Sequence, residues 1–262
     1  MVQEMARENA SLPNPEQIAQ RVLARAGRYK PPIKPDRLVA AWDNLRVVEE
    51  ELDGSGYLLP LGKLGAEIVV NKSESPERQR FTIAHELGHW VLGLIWEKKF
   101  GTFQQPGGVP PAQIEKWCDS FATNLLMPRE LMEPWLAGCD KPSFIHMLAR
   151  ARDDFEVSEQ ALFLRVWELS RIQVVKLKPR CSPNGGTEFA LDHNYGDDAS
   201  RVYVEDLLRM PDVQMNIKIA DPLVFFSGVV RGRPVHCSGL KLSAGRVLLS
   251  LGRVPRLSRP MR

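Results

Sequence analysis

Arg80-Phe81-Thr82-Ile83-Ala84-His85-Glu86-Leu87-Gly88-His89-Trp90 is the stretch on which the reading of this chain turns. It places histidines four residues apart with a glutamate directly after the first, the pattern H-E-x-x-H, in an apolar and helix-compatible run. Four steps along an α-helix overshoot one turn by only about 40°, so both imidazoles fall on one side and can reach one metal ion. Glu86 is rotated roughly 100° from His85 and can address a water on that ion without being a ligand. Metal-assisted hydrolysis needs this arrangement.

The alternative is an ordinary surface helix on which three polar residues fell by chance. The chain has five histidines, and two of them are here. Phe81, Ile83, Ala84, Leu87, Val91 and Leu92 make much of the helix apolar, and two histidines and a glutamate buried beside them cost several kcal/mol unless satisfied. A structural zinc site closes with four protein ligands rich in cysteine, whereas a catalytic site uses three and keeps a position for water. Cys118, Cys139, Cys181 and Cys237 form no C-x-x-C pair, so closure by sulfur is not expected and a catalytic site is favoured.

The third ligand is expected from a downstream helix. Residues 112–127, Ala-Gln-Ile-Glu-Lys-Trp-Cys-Asp-Ser-Phe-Ala-Thr-Asn-Leu-Leu-Met, lie between Pro111 and Pro128, and proline at both ends is helix punctuation. Ile114, Trp117, Phe121, Leu125 and Leu126 supply a core face. Glu115 reads as the third ligand, the alternative being a first-turn acid that favours the helix dipole. Asp119, one turn later, is placed to accept the free ring N–H of a ligating histidine and fix its tautomer.

These residues resemble the ImmA/IrrE metallopeptidases. The similarity runs through Pro31-Pro32-Ile33-Lys34-Pro35-Asp36-Arg37-Leu38, Glu67-Ile68-Val69-Val70-Asn71, the block Glu77 to His89, and Glu115 leading into Phe121-Ala122-Thr123-Asn124-Leu125-Leu126-Met127-Pro128, covering roughly residues 14–170. The family pattern puts a metal ligand at the position of Glu115. The resemblance implies a zincin-like domain, bound Zn²⁺ with Mn²⁺ as a possible substitute, and a protein substrate. That substrate would be a helix-turn-helix transcriptional repressor of stress, phage or mobile-element genes. The chain departs from the pattern at Trp117-Cys118, where many members carry Glu-Ala. Cys118 is then a small buried residue or a thiol close to the metal that responds to oxidation. The oxyanion-stabilising residue is unassigned between Tyr57 and His146.

With 262 residues, 44% apolar and 26% charged, the composition is that of a soluble globular chain. No apolar run reaches the ~18–20 residues that span a bilayer. The first residues lack a secretory apolar region, and few unpatterned cysteines suit a reducing compartment, so a cytoplasmic location is expected. Residues 173–262 carry 14 Lys/Arg against 8 Asp/Glu, a net of +6, which leaves −3 for residues 1–172. After Asp221 there is no acid, while Arg231, Arg233, Lys241, Arg246, Arg253, Arg256, Arg259 and Arg262 follow. That skew suits nucleic acid or, preferably, a solvated basic tail.

The expected class is α+β. A zincin-like metallopeptidase domain with a small mixed sheet fills residues 1–140, a helix-turn-helix-like segment 141–171, and a small β-rich domain 172–262. The first helix has Asn14 as N-cap, Pro15 at N1, Gln17 at N3 and Gly27 as stop. A short helix follows Pro35 with Leu38, Val39 and Trp42 inward. Leu45–Val48 and Ala66–Val70 read as strands joined through Asp53-Gly54-Ser55-Gly56. Ala66–Val70, preceding the metal helix that Ser75-Pro76 caps, is the proposed edge strand for an extended substrate. The Phe100–Pro111 loop would border the cleft.

The helix pair, Ser143–Arg150 and Glu159–Leu169 with Ser158 as N-cap, reads as packing or substrate docking more readily than DNA contact. Its second helix is full of large apolar residues and its turn lacks glycine. His146 is expected at a core edge. Ile172–Leu177, Val202–Val204, Val213–Ile219, Leu223–Val230 and Arg246–Leu251 are expected strands. Two rival functions stand beside the endopeptidase: a non-proteolytic binding module that neutralises a toxin, and a DNA-binding regulator.

Overall fold

The computed structural model describes residues 11–27, 29–101, 103, 108–137, 144–181, 186–196, 198–219, 223–230, 233–242 and 246–253, with side chains over most of that length. Residues 102 and 104–107 of the loop expected to border the cleft, Ser143, and the basic residues Arg231, Arg256, Arg259 and Arg262 lie outside the described residues. The chain divides into two units, one formed by residues 1–131 with 154–158, the other by 132–153 with 159–262.

In the first unit, helix α1 (Pro15–Arg25) starts where Asn14 Oδ1 accepts the Gln17 N–H at 3.1 Å. Proline at N1 has no N–H to leave orphaned and pre-sets φ for the first turn. Ile18, Ala19, Val22 and Leu23 form its buried stripe. The short helix α2 (Pro35–Val39) follows, burying Leu38 and Val39. Strands β1 (Leu45–Glu50), β2 (Gly56–Pro60) and β3 (Ala66–Asn71) form a sheet of order β1-β3-β2. β1 runs parallel to β3 with Val47 opposite Ile68, and β2 runs antiparallel with Leu58 opposite Ile68.

Ala66–Val70 is therefore the central strand, not the edge. β-branched Ile68, Val69 and Val70 are at most 1% exposed, as a strand flanked on both sides requires. The edges are β1 and β2; the sequence reading took β2 for part of a turn-rich connection because glycine and proline bound it. Gly56 serves close approach: a β-carbon there would stand 2.4 Å from the Val69 carbonyl oxygen and 2.6 Å from Thr82 Cγ2.

Helix α3 (Pro76–Phe100) begins at Ser75, whose Oγ accepts the Arg78 N–H at 3.4 Å, and packs against β2 and β3. Helix α4 (Pro111–Leu126) packs against α1 and α3, and its Trp117 Nε1 donates to the Pro13 carbonyl at 2.6 Å. Helix α5 (Arg129–Leu136) follows.

Arg80, on the first turns of α3, closes the unit. Its guanidinium donates to the carbonyls of Ile33 (2.6 Å), Phe155 (3.2 Å) and Glu156 (2.8 Å), and to Glu156 Oε2 at 2.6 Å. Glu156 occupies the turn expected to want glycine, and its φ of 49° is left-handed, a conformation costing of order 1–3 kcal/mol in a non-glycine residue. The Arg80 fork and the Lys34–Glu156 pair at 2.8 Å hold it there.

In the second unit, helix α6 (Phe144–Phe155) buries Phe144, Leu148 and Ala151 up to Asp153, while His146 is exposed and not at a core edge. His146 stands only two residues from Phe144, about 200° round the helix, and so faces away from it. Helix α7 (Glu159–Ser170) precedes β4 (Ile172–Cys181) and β5 (Thr187–Tyr195); helices α8 (Asp198–Leu208) and α9 (Pro211–Ile219) precede β6 (Leu223–Val230), β7 (Arg233–Lys241) and β8 (Val247–Arg253). The sheet order is β5-β4-β8-β7-β6, antiparallel throughout.

Two expected strands are helices. Val202–Val204 lies in α8 and Val213–Ile219 in α9. Tyr203, Leu207 and Val204, Leu208 repeat at i, i+4, as do Val213 and Ile217, and these residues pack on Val175, Leu177, Leu249 and Leu251 of the sheet. The burial period of a helix outweighed the β preference of branched side chains. α7 packs against β4 and β5, with the Phe163 and Tyr195 rings 5.0 Å apart and Lys176 paired to Glu159 at 2.5 Å.

Replacing Arg80 by methionine is expected to cost about 2–4 kcal/mol, since three carbonyls lose their donor at roughly 1–3 kcal/mol each with water recovering part. Urea denaturation read by circular dichroism checks this. A wild-type midpoint would remove Arg80 as the unit's fastening.

Candidate metal centre

α3 carries His85 and His89 one turn apart, and their Nε2 atoms approach to 3.2 Å. α4 faces them with Glu115, Cys118 and Asp119, spaced i, i+3, i+4 and so on one stripe. Asp119 Oδ1 takes a hydrogen bond from His85 Nδ1 at 3.0 Å. Glu115 sets Oε2 at 3.2 Å from His85 Nε2 and Oε1 at 3.5 Å from His89 Nε2. The histidine side chains are 13–15% exposed and those of the two acids 57–59%. The cluster is buried on the α3 side and open on the α4 side.

The helices reach this distance because of Gly88. A β-carbon there would stand 3.1 Å from the Phe121 ring and 3.4 Å from both Cα and Sγ of Cys118. Cys118 itself is fully buried, and its Sγ and one ring nitrogen each of His85 and His89 lie within 4.8 Å of one another. Burial pushes this thiol up, and the charges of Glu115, Glu86 and Asp119 push it further.

Glu86 is 8% exposed. Burial raises its carboxyl above the usual range; His89 opposes the rise, Glu115 adds to it, and a hydrogen bond from the Leu58 backbone opposes it again. The edge strand β2 thus touches the carboxylate that the motif singled out. Nothing in the sequence of β2 signals this, because a backbone group makes the contact. Tyr57, one residue earlier, points to the opposite face of the sheet from Leu58 by strand alternation, away from α3, and is 43% exposed.

The donor set fits a small divalent cation. With Nδ1–H given to Asp119, His85 Nε2 carries a lone pair, yet it faces a second imidazole nitrogen and a carboxylate oxygen. Such a convergence of acceptors is repulsive unless a proton or a cation sits among them. At Zn–N and Zn–O lengths of about 2.0–2.2 Å, neighbouring tetrahedral ligand atoms stand roughly 3.3–3.5 Å apart. The His85–His89 and His85–Glu115 Oε2 separations, 3.2 Å each, lie close to that spacing, and the other Glu115 oxygen, Oε1, stands 3.5 Å from His89 Nε2.

Residues 44–166 match the model of the IrrE N-terminal-like domain, a peptidase family. Comparison with curated proteins finds no match. Among solved structures, a Mycobacterium tuberculosis transcriptional regulator is similar at a TM-score of 0.52 and 12% identity, over 92% of this chain and 88% of that one. At that identity the likeness concerns the fold. No helix among the described residues is long and apolar enough to cross a membrane. The H-E-x-x-H helix, the facing Glu115 and the sheet above them all fall inside residues 44–166, the stretch similar to the IrrE N-terminal-like domain.

Proposed function

We propose that this chain is a site-specific metallo-endopeptidase acting in the cytoplasm, with His85, His89 and Glu115 as metal ligands and Glu86 as general base. The observation that carries it is the convergence of two imidazole Nε2 atoms and a carboxylate at ligand-to-ligand spacing, beside the buried carboxyl of Glu86. Zn²⁺, with Mn²⁺ as a substitute, would supply Lewis acidity and lower the pKa of water towards ~7.

The chain's own residues do the rest. Asp119 holds His85 in the Nδ1–H tautomer, keeping its Nε2 lone pair for the metal. Glu86, raised by burial, accepts the proton of the attacking water and returns it to the leaving amine. The Leu58 backbone keeps that carboxylate oriented. Among the described residues β1 and β2 each pair with β3 alone, and β2, whose backbone at Leu58 reaches Glu86, is the edge beside which an extended peptide would lie.

The substrate in this reading is a helix-turn-helix transcriptional repressor, whose cleavage releases stress-response, phage or mobile-element genes. It rests on the family resemblance, and the similar solved structure bears the name of a transcriptional regulator.

The test is cleavage of the helix-turn-helix repressor encoded nearest the gene by purified protein with Zn²⁺ or Mn²⁺. One discrete cut, abolished by chelation and restored by metal, is expected. Glu86→Gln should keep metal binding and lose at least about 10²-fold in rate; a variant as fast as wild type would end the mechanism. Asp119→Asn should bind Zn²⁺ about 10–100-fold more weakly, measured by competition with a chromophoric chelator. Unchanged affinity there would remove Asp119 from the centre.

A further inference from the structure

We propose that Cys118 is a fourth protein ligand of this same centre, so that in the resting chain the coordination is closed and peptide cleavage requires the thiolate to leave. The inference rests on the metal reading above and goes past the three-ligand set. It also revises the sequence-based expectation that sulfur takes no part, which rested on the absence of a C-x-x-C pair. The pairing that matters joins a cysteine on one helix to histidines on another.

Three observations carry it. Sγ and the two histidine nitrogens already share one small volume, all within 4.8 Å of one another. For Zn–S of about 2.3 Å and Zn–N of about 2.0–2.1 Å, a tetrahedral S···N edge is roughly 3.5 Å. The thiol is therefore little more than about 1 Å short of coordination, a distance that a side-chain rotation and a small helix adjustment cover. Next, Cys118 projects from the stripe that already delivers Glu115 and Asp119, at the level of Gly88, where the absent β-carbon leaves the path between the helices narrow but open. Finally, the two facing acids are more than half exposed whereas Cys118 is fully buried. Sulfur thus approaches from the interior side while Glu115 approaches from the open side, so both can bind at once.

The chemistry favours the contact. Zn²⁺ accepts soft thiolate alongside imidazole. On binding a metal, Cys118 would give up its S–H proton to water at the open side of the site and would take a proton back from water on withdrawing. Four protein ligands would then match a structural site, and withdrawal of sulfur would free the water position that hydrolysis needs.

The test uses the full chain, stripped of metal and loaded with one equivalent of Co²⁺, as wild type, Cys118→Ala and the size-conserving Cys118→Ser. Wild type should show the near-ultraviolet thiolate-to-cobalt charge-transfer band, and both variants should lose it while keeping the visible cobalt bands. Acetohydroxamate, a small bidentate metal binder, should perturb the visible spectrum of the variants at a concentration on the order of tenfold below that needed for wild type. A wild-type spectrum without the sulfur band, or a band that survives in Cys118→Ala, overturns the proposal and leaves the three-ligand peptidase reading standing. A sulfur band with equal acetohydroxamate sensitivity overturns the closure. Failure of all three proteins to bind Co²⁺ overturns both readings together.

Discussion

The close approach of α3 and α4 at Gly88 is the constraint on which the rest of the site depends. The two helices bring no shared ligand by themselves: α3 supplies imidazoles, α4 supplies carboxylates and a thiol. Gly88 lies where they face each other, a β-carbon there would crowd the Phe121 ring at 3.1 Å, and His85 and Glu115 stand 3.2 Å apart. Phe121 and Cys118 fill the space against that glycine, so the same contact that buries apolar surface also sets the ligand spacing. Packing and chemistry are here a single geometric fact.

Above this helix pair the small sheet performs two tasks. Its central strand β3 is buried on both faces and anchors α3 from above. Its edge strand β2 brings a backbone group to Glu86, the one acid of the cluster that has been taken almost wholly out of water. A buried carboxylate held by a backbone donor keeps a defined orientation, and its burial raises its proton affinity. Arg80 supports the arrangement at the start of the same helix. Its fork satisfies three carbonyls from two distant segments and lets Glu156 hold a left-handed turn without glycine.

The second unit is built on other rules. Its five antiparallel strands are covered by α8 and α9 on one face and by α7 against β4 and β5. Apolar residues with branched side chains fill helix and strand alike, and their local preference does not separate the two. What separates them is whether burial recurs every second residue or every third and fourth.

The H-E-x-x-H helix, its Ser75 cap, the first helix with its Asn14 cap, and the facing stripe of Glu115 and Asp119 were legible in the residues themselves. They are encoded by short-range spacing, and helical periodicity converts spacing into a shared face. Three things were decided only by tertiary structure. β2 became the edge and Ala66–Val70 the centre, because strand order depends on long-range pairing that no local pattern records. Val202–Val204 and Val213–Ile219 became helical, because the sheet they cover rewards an i, i+4 stripe more than a branched side chain rewards extension. Cys118 came to lie beside the histidines, because the distance between two helices is set by the side chain that Gly88 lacks, and the identity of one residue says nothing of which partner will face it.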